Sequence, residues 1–150
     1  MRDNISDYDP FPDSFELLTS EQEEAKQRFR KNRLPYIDSV TLTLHGMPGT
    51  SEFGVLSIQD KKVTVEREAE WILDPSYKPP SYITTRQTLG ACHSGLWAPT
   101  YESDLFIMDG QSWRVRLTFS NGAPPFESRG QNSSPPTFQR LVKLFGFTAD

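Results

Sequence analysis

At 150 residues, 35% apolar and 24% charged, the chain has room for one hydrophobic core of ordinary size and is too apolar, with ten phenylalanines, to read as disordered. A formal charge of −4 argues against a general nucleic-acid binder, which needs a broad positive surface, while leaving room for a local basic patch. No window holds the roughly 18 apolar residues that span a bilayer, and no apolar signal region follows Met1-Arg2-Asp3-Asn4, so a cytoplasmic protein without a membrane partner is expected. The lone Cys92 fits a reducing compartment.

Residues 1–14 carry four aspartates and two prolines and read as a flexible acidic segment ahead of a single α+β domain over 15–150. A short helix is expected from Glu21 to Lys31. Ser20 and Glu23 have capping-box spacing, and acidic residues precede Lys26, Arg28, Arg30 and Lys31 in the order the helix dipole favours. Its apolar face is thin, Ala25 and Phe29 being the main contributors. Such a helix packs lightly on the domain or lies against a partner.

Beyond Pro35 the period changes from helical to alternating. Val40, Leu42 and Leu44 alternate with Thr41, Thr43 and His45, the pattern of a half-buried strand over 39–45. Gly46-Met47-Pro48-Gly49 is a turn. Strands at 53–58 and 62–66 follow, joined as a hairpin at Asp60-Lys61, with Val63 and Val65 opposite Thr64 and Glu66. From Trp71 to Pro99 the chain is irregular and aromatic, with Tyr77, Tyr82 and Trp97 as candidate binding anchors and a strand expected over Ser81–Thr85. This segment either covers a sheet edge or lines a recognition groove.

A strand at 104–108 leads to Asp109-Gly110, a strong hairpin dipeptide, and then to a strand over 112–120. There Trp113, Val115, Leu117 and Phe119 share one face, and Arg114, Arg116 and Thr118 the other. Phe126 to Arg129 reads as a short edge strand after Pro124-Pro125. In the last helix Ser134 is the expected N-cap and Pro135 the first helical residue. Phe138, Leu141, Val142 and Phe145 form its apolar stripe, and Gly146 ends it. The fold class expected is therefore a mostly antiparallel sheet with a C-terminal helix packed on one face and a short N-terminal helix. The stretch from Asp109 through Trp113, Asn121-Gly122 and Gly130-Gln131-Asn132-Ser133-Ser134-Pro135 to Phe145 resembles a pattern in small bacterial proteins. That resemblance covers about a quarter of the chain and carries no functional residue over.

Chemistry is sparsely marked. Cys92-His93-Ser94 could supply a thiolate nucleophile and its base, the basis of a hydrolase reading, but neighbours in an extended segment point to opposite faces. A zinc site would have to recruit His45, Cys92 and His93 together, or two of them with Asp104 or Asp109. Glu102, Asp104, Asp109 and Glu127 show no spacing that selects an acid and a base. No phosphate-loop, dinucleotide or calcium-loop spacing is present, so no cofactor or metal is implied. Asn132 is read first as a turn residue. Arg114 and Arg116 should project from one sheet face about 6–7 Å apart, and Arg129 would enlarge that patch if its strand pairs nearby. Guanidinium forks in such a row suit a carboxylate or phosphate; a solvated outer face balanced by Glu66 is the plainer account. The leading expectation is a protein-binding or inhibitory module, with bacterial or phage competition as the setting the resemblance implies. The alternatives are the Cys92/His93 hydrolase and a structural or assembly subunit. A sheet-edge homodimer remains open.

Overall fold

The computed structural model describes residues 17–46, 51–69, 73, 75–102 and 112–147. The acidic segment 1–14, most of the turn at 46–49, Trp71, the strand expected at 104–108 and the Asp109-Gly110 turn lie outside the described residues.

Among the described residues the protein is an α+β fold built on one six-stranded sheet. In chain order the elements are α1 (Ser20–Asn32), β1 (Ile37–His45), β2 (Ser51–Gln59), β3 (Lys62–Ala69), α2 (Tyr82–Ala91), β4 (Thr100–Glu102), β5 (Ser112–Phe119), β6 (Phe126–Gln131) and α3 (Phe138–Leu144). The sheet order is β3-β2-β1-β5-β6-β4. Every neighbouring pair is antiparallel except β4–β6, which is parallel. The β2–β3 hairpin closes at Asp60-Lys61, and both turn residues have positive φ, 52° and 62°. Mirror-image turn geometry of this kind matches the strand twist, even where neither residue is glycine.

The alternation in the sequence sorts the sheet into two faces. Val40, Leu42, Leu56, Ile58, Trp113, Val115, Leu117 and Phe119 are buried on one of them. The three described α-helices pack there. α3 contributes Phe138, Leu141, Val142 and Leu144, α2 contributes Leu89, and Phe29 of α1 meets the edge of Phe119 at 6.3 Å between ring centres. The opposite face carries Thr41, Thr43, Phe53, Arg114, Arg116, Glu127 and Arg129, half-buried or exposed, and no described helix covers it.

Four expectations need correction. The α1 capping box is made one position earlier, by Thr19 and Gln22: the Gln22 N–H donates to the Thr19 hydroxyl, and the Thr19 N–H donates to the Gln22 side chain. Ser81–Thr85 begins a helix, not a strand. The Ser81 hydroxyl accepts from the Thr84 N–H at 3.1 Å and the Thr85 hydroxyl donates to the Ser81 carbonyl. This side-chain cap, followed by Arg86, Gln87 and Leu89, outweighs the β preference of Ile83, Thr84 and Thr85. Phe126–Arg129 is an edge only in part: β6 runs on to Gln131, and β4 pairs along its outer side from Arg129 to Gln131. Finally, α3 starts at Phe138 rather than at Pro135. Pro136 disfavours a helical conformation at the residue before it, and the Thr137 hydroxyl is turned to the Cys92 carbonyl instead of capping.

The far end of α3 closes as the sequence leads one to expect. Gly146 has φ 74°, its N–H donates to the Lys143 carbonyl, and the Phe147 N–H donates to the Val142 carbonyl. These two bonds are the Schellman pattern, and they fold the buried Phe147 back beside Phe145.

Candidate functional site

β1, β5, β6 and β4 lie side by side, and their register builds one end of the open sheet face residue by residue. Thr43 is opposite Arg114, Arg114 opposite Arg129, and Arg129 opposite Thr100. One step along the strands, His45 is opposite Ser112, Ser112 opposite Gln131, and Gln131 opposite Glu102. Together these residues border a depression of about 350 Å³ on that face. Arg114 and Arg129 are both exposed and form a directly opposed like-charged pair, an arrangement that destabilises a sheet unless an anion sits between the two. Neither makes an ion pair among the described residues. Arg116, by contrast, reaches Glu127 at 3.4 Å on the neighbouring strand.

The sequence therefore identifies the arginine face, and the structure divides it. Arg114 and Arg129 are brought together over the depression, whereas Arg116 is engaged by Glu127. Thr100 was not legible as a site residue, because its place depends on the parallel β4–β6 pairing, and a three-residue strand leaves no periodic signal; Thr43 and Gln131 enter only through their register with β5. His45 and Glu102, weighed above as a metal ligand and a catalytic carboxylate, instead rim the arginine pair.

The aromatic candidates each make contacts within the fold. Trp97 is core, only 2% exposed, and its indole N–H lies 2.9 Å from the Cys92 carbonyl and 3.1 Å from the Thr137 hydroxyl. It is a correction to the sequence reading, since a side chain so enclosed offers no contact surface. Tyr77 lies beneath Arg67, whose guanidinium is 3.8 Å from the ring centre, and donates its hydroxyl to the Leu144 carbonyl. Burial raises the Tyr77 phenol above its ordinary value, with Arg67 pulling the other way. Tyr82 accepts from Arg86, which also donates to the Leu34 and Ile37 carbonyls. Both tyrosines thus help fasten helices to the sheet.

Cys92 and His93 sit where α2 ends, on the helix-covered side. The thiol is buried, and burial pushes its pKa up to about 12, with Arg140 opposing the rise. A nucleophilic cysteine works as the thiolate, and that form is scarce at neutral pH in such a setting. His93 occupies the left-handed region at φ 50°. His45 is across the sheet, on the open face, so the three residues of the zinc reading do not converge. Among the described residues no cluster of three or more His, Cys, Asp or Glu side chains is placed to hold a metal ion. Nor is any described helix long and apolar enough to cross a membrane.

Burial lowers the His93 pKa, and Lys26, Arg30 and Arg140 lower it further against the opposing pull of Glu23. The unfolded chain then takes up a proton near pH 6.5 while the folded one resists it, so stability is full above that value and falls as pH drops through it. His93→Asn keeps a residue that tolerates positive φ and removes the titration. Urea unfolding between about pH 7.5 and 5.5 should show a smaller loss for this variant than for the parent chain. Equal losses would locate the acid sensitivity elsewhere.

Comparison with protein-family models, with curated proteins and with solved structures finds no match to this chain.

Proposed function

We propose that this chain is a binding module that captures a carboxylate- or phosphate-bearing segment of a partner protein on its open sheet face. The observation that carries the reading is the Arg114–Arg129 cross-strand pair over the depression, two guanidinium groups without a carboxylate partner among the described residues. Each offers a planar donor fork suited to bidentate binding of an oxyanion. In the same cross-strand row, Phe53 lies opposite Thr43 and is 39% exposed. It sits two strands from Arg114, about 10 Å at ordinary strand spacing. An acidic or phosphorylated side chain with an apolar neighbour matches that row. The net charge of −4 favours such a local contact over a polyanion laid across the whole surface.

Calorimetric titration with inorganic phosphate and with a short glutamate- and phenylalanine-bearing peptide tests this, at two ionic strengths. Arg114→Ala/Arg129→Ala should weaken binding by up to about thirtyfold, since each exposed charge pair removed is worth up to about 1 kcal/mol. Arg116→Ala, which removes an arginine already engaged by Glu127, should change it far less. Added salt should weaken the parent chain and leave the double variant nearly unaffected, because exposed attraction is screened. Unchanged affinity in the double variant at both ionic strengths would remove this face from the interaction.

A further inference from the structure

The two edges of the sheet differ. At one, β4 is three residues long; at the other, β3 runs eight residues without a bulge or a proline. Long regular edges of this kind are normally short-cut, bent or covered, because their outward backbone groups recruit another strand. With Asp60-Lys61 as a two-residue turn, Gln59 and Lys62 close the hairpin, and alternation turns the backbone groups of Val63, Val65 and Arg67 outward. Among the described residues, Val63 and Val65 make no backbone hydrogen bond beyond the β2–β3 ladder. An inward-facing charge can deter edge pairing, but Arg67 is drawn into the helix layer, over the Tyr77 ring and onto the Phe145 carbonyl.

We propose that β3 pairs antiparallel with β3 of a second copy, about a two-fold axis through Val65, joining two sheets into one. The strand's own sequence selects this partner and this register. Val65 faces Val65, Val63 faces Arg67, Thr64 faces Glu66, and Lys62 faces Glu68, the last pair occurring twice by symmetry. Lys62 and Glu68 are exposed on the open face, and neither makes an ion pair among the described residues. They fall at non-hydrogen-bonded positions of the new ladder, where opposed side chains approach most closely. A shift of the axis to Glu66 sets that carboxylate against its own copy. A shift to Thr64 sets Lys62 against Glu66 but shortens the paired segment to those residues and leaves Arg67 and Glu68 beyond its end. The Arg114–Arg129 depression lies toward the opposite edge of the sheet and stays open, so the dimer carries two copies of it at opposite ends of the joined sheet.

Sedimentation velocity over about 5 to 500 µM suits the micromolar affinity expected of an interface at the small end of the range. The parent chain should pass from monomer to dimer within it. Lys62→Glu sets two carboxylates opposite each other at both ends of the ladder and should weaken association about tenfold or more. Lys62→Glu/Glu68→Lys restores opposite charges in this register alone and should recover the parent affinity. A chain that remains monomeric throughout overturns the proposal, as does a Lys62→Glu variant that dimerises undiminished. Failure of the double variant to recover, with its circular dichroism and unfolding curve unchanged, overturns the register and with it this dimer. Phosphate binding at Arg114 and Arg129 is measured separately and fails or survives independently.

Discussion

Trp97→Ala is expected to cost about 3–5 kcal/mol, the range for removing a large buried aromatic side chain. The indole is enclosed, edge-on to Trp113 at 6.2 Å and beside Phe138 at 6.3 Å, so its loss opens a cavity bounded by the β5 row and α3 together. The substitution also strips a donor from the Cys92 carbonyl, which would keep only the Thr137 hydroxyl. Against the roughly 5–15 kcal/mol that holds a typical domain together, such a loss is a large fraction of the whole. Trp97→Phe retains most of the ring contacts and should lose clearly less. Urea unfolding that registers under about 1 kcal/mol for the alanine variant would mean that the site collapses around the gap or that the ring is not enclosed.

How far the fold could be read from the sequence depends on where its information is local. Period-two alternation fixes the faces of β1, β3 and β5, because a one-residue slip would turn every valine and leucine to the wrong side. The stripe of α3 is legible for the same reason at helical spacing. Two elements leave weaker traces. α2 begins in a β-branched run, and only the geometry at Ser81 reveals that the first turn is capped. β4 is held by pairing with β6 from a distance in sequence, and nothing in Thr100-Tyr101-Glu102 alone announces a parallel strand.

The candidate site divides along the same line. That Arg114 and Arg116 share an outer face follows from alternation, but which of the two is engaged depends on what stands across from each on β6. Register supplies Glu127 to Arg116 and Arg129 to Arg114. Two residues with the same local pattern thereby acquire different roles, one in an ion pair and one in a like-charged pair over a depression. The aromatic segment misled for a related reason: Trp97 carries the same marks as an interface anchor, and its burial comes from α3 and β5, both distant in sequence.

Leu141→Ala should destabilise by about 2–5 kcal/mol, the range for truncating a buried leucine whose surroundings relax only in part. Leu141 is 2% exposed on the face that α3 turns to the sheet, among Phe138, Val142 and Phe145. Collapse is hindered on both flanks. Gly54 lies directly beneath Phe145, so close that a Cβ there would meet the ring at 2.6 Å, and the Schellman bonds at Gly146 tie down the end of the helix. α3 therefore has little room to sink toward the sheet and fill the gap. Leu141→Met, nearly equal in volume, should cost less than about 1.5 kcal/mol. Gln139→Ala, on the exposed side of the same helix, should stay within about 0.5 kcal/mol. Urea titrations of the three variants separate the cavity from helix propensity, since alanine is the better helix former at both positions. Equal, small losses at positions 139 and 141 would show that α3 is not anchored by its stripe, whereas a large loss confined to position 141 identifies the helix as the lid on the sheet's covered face.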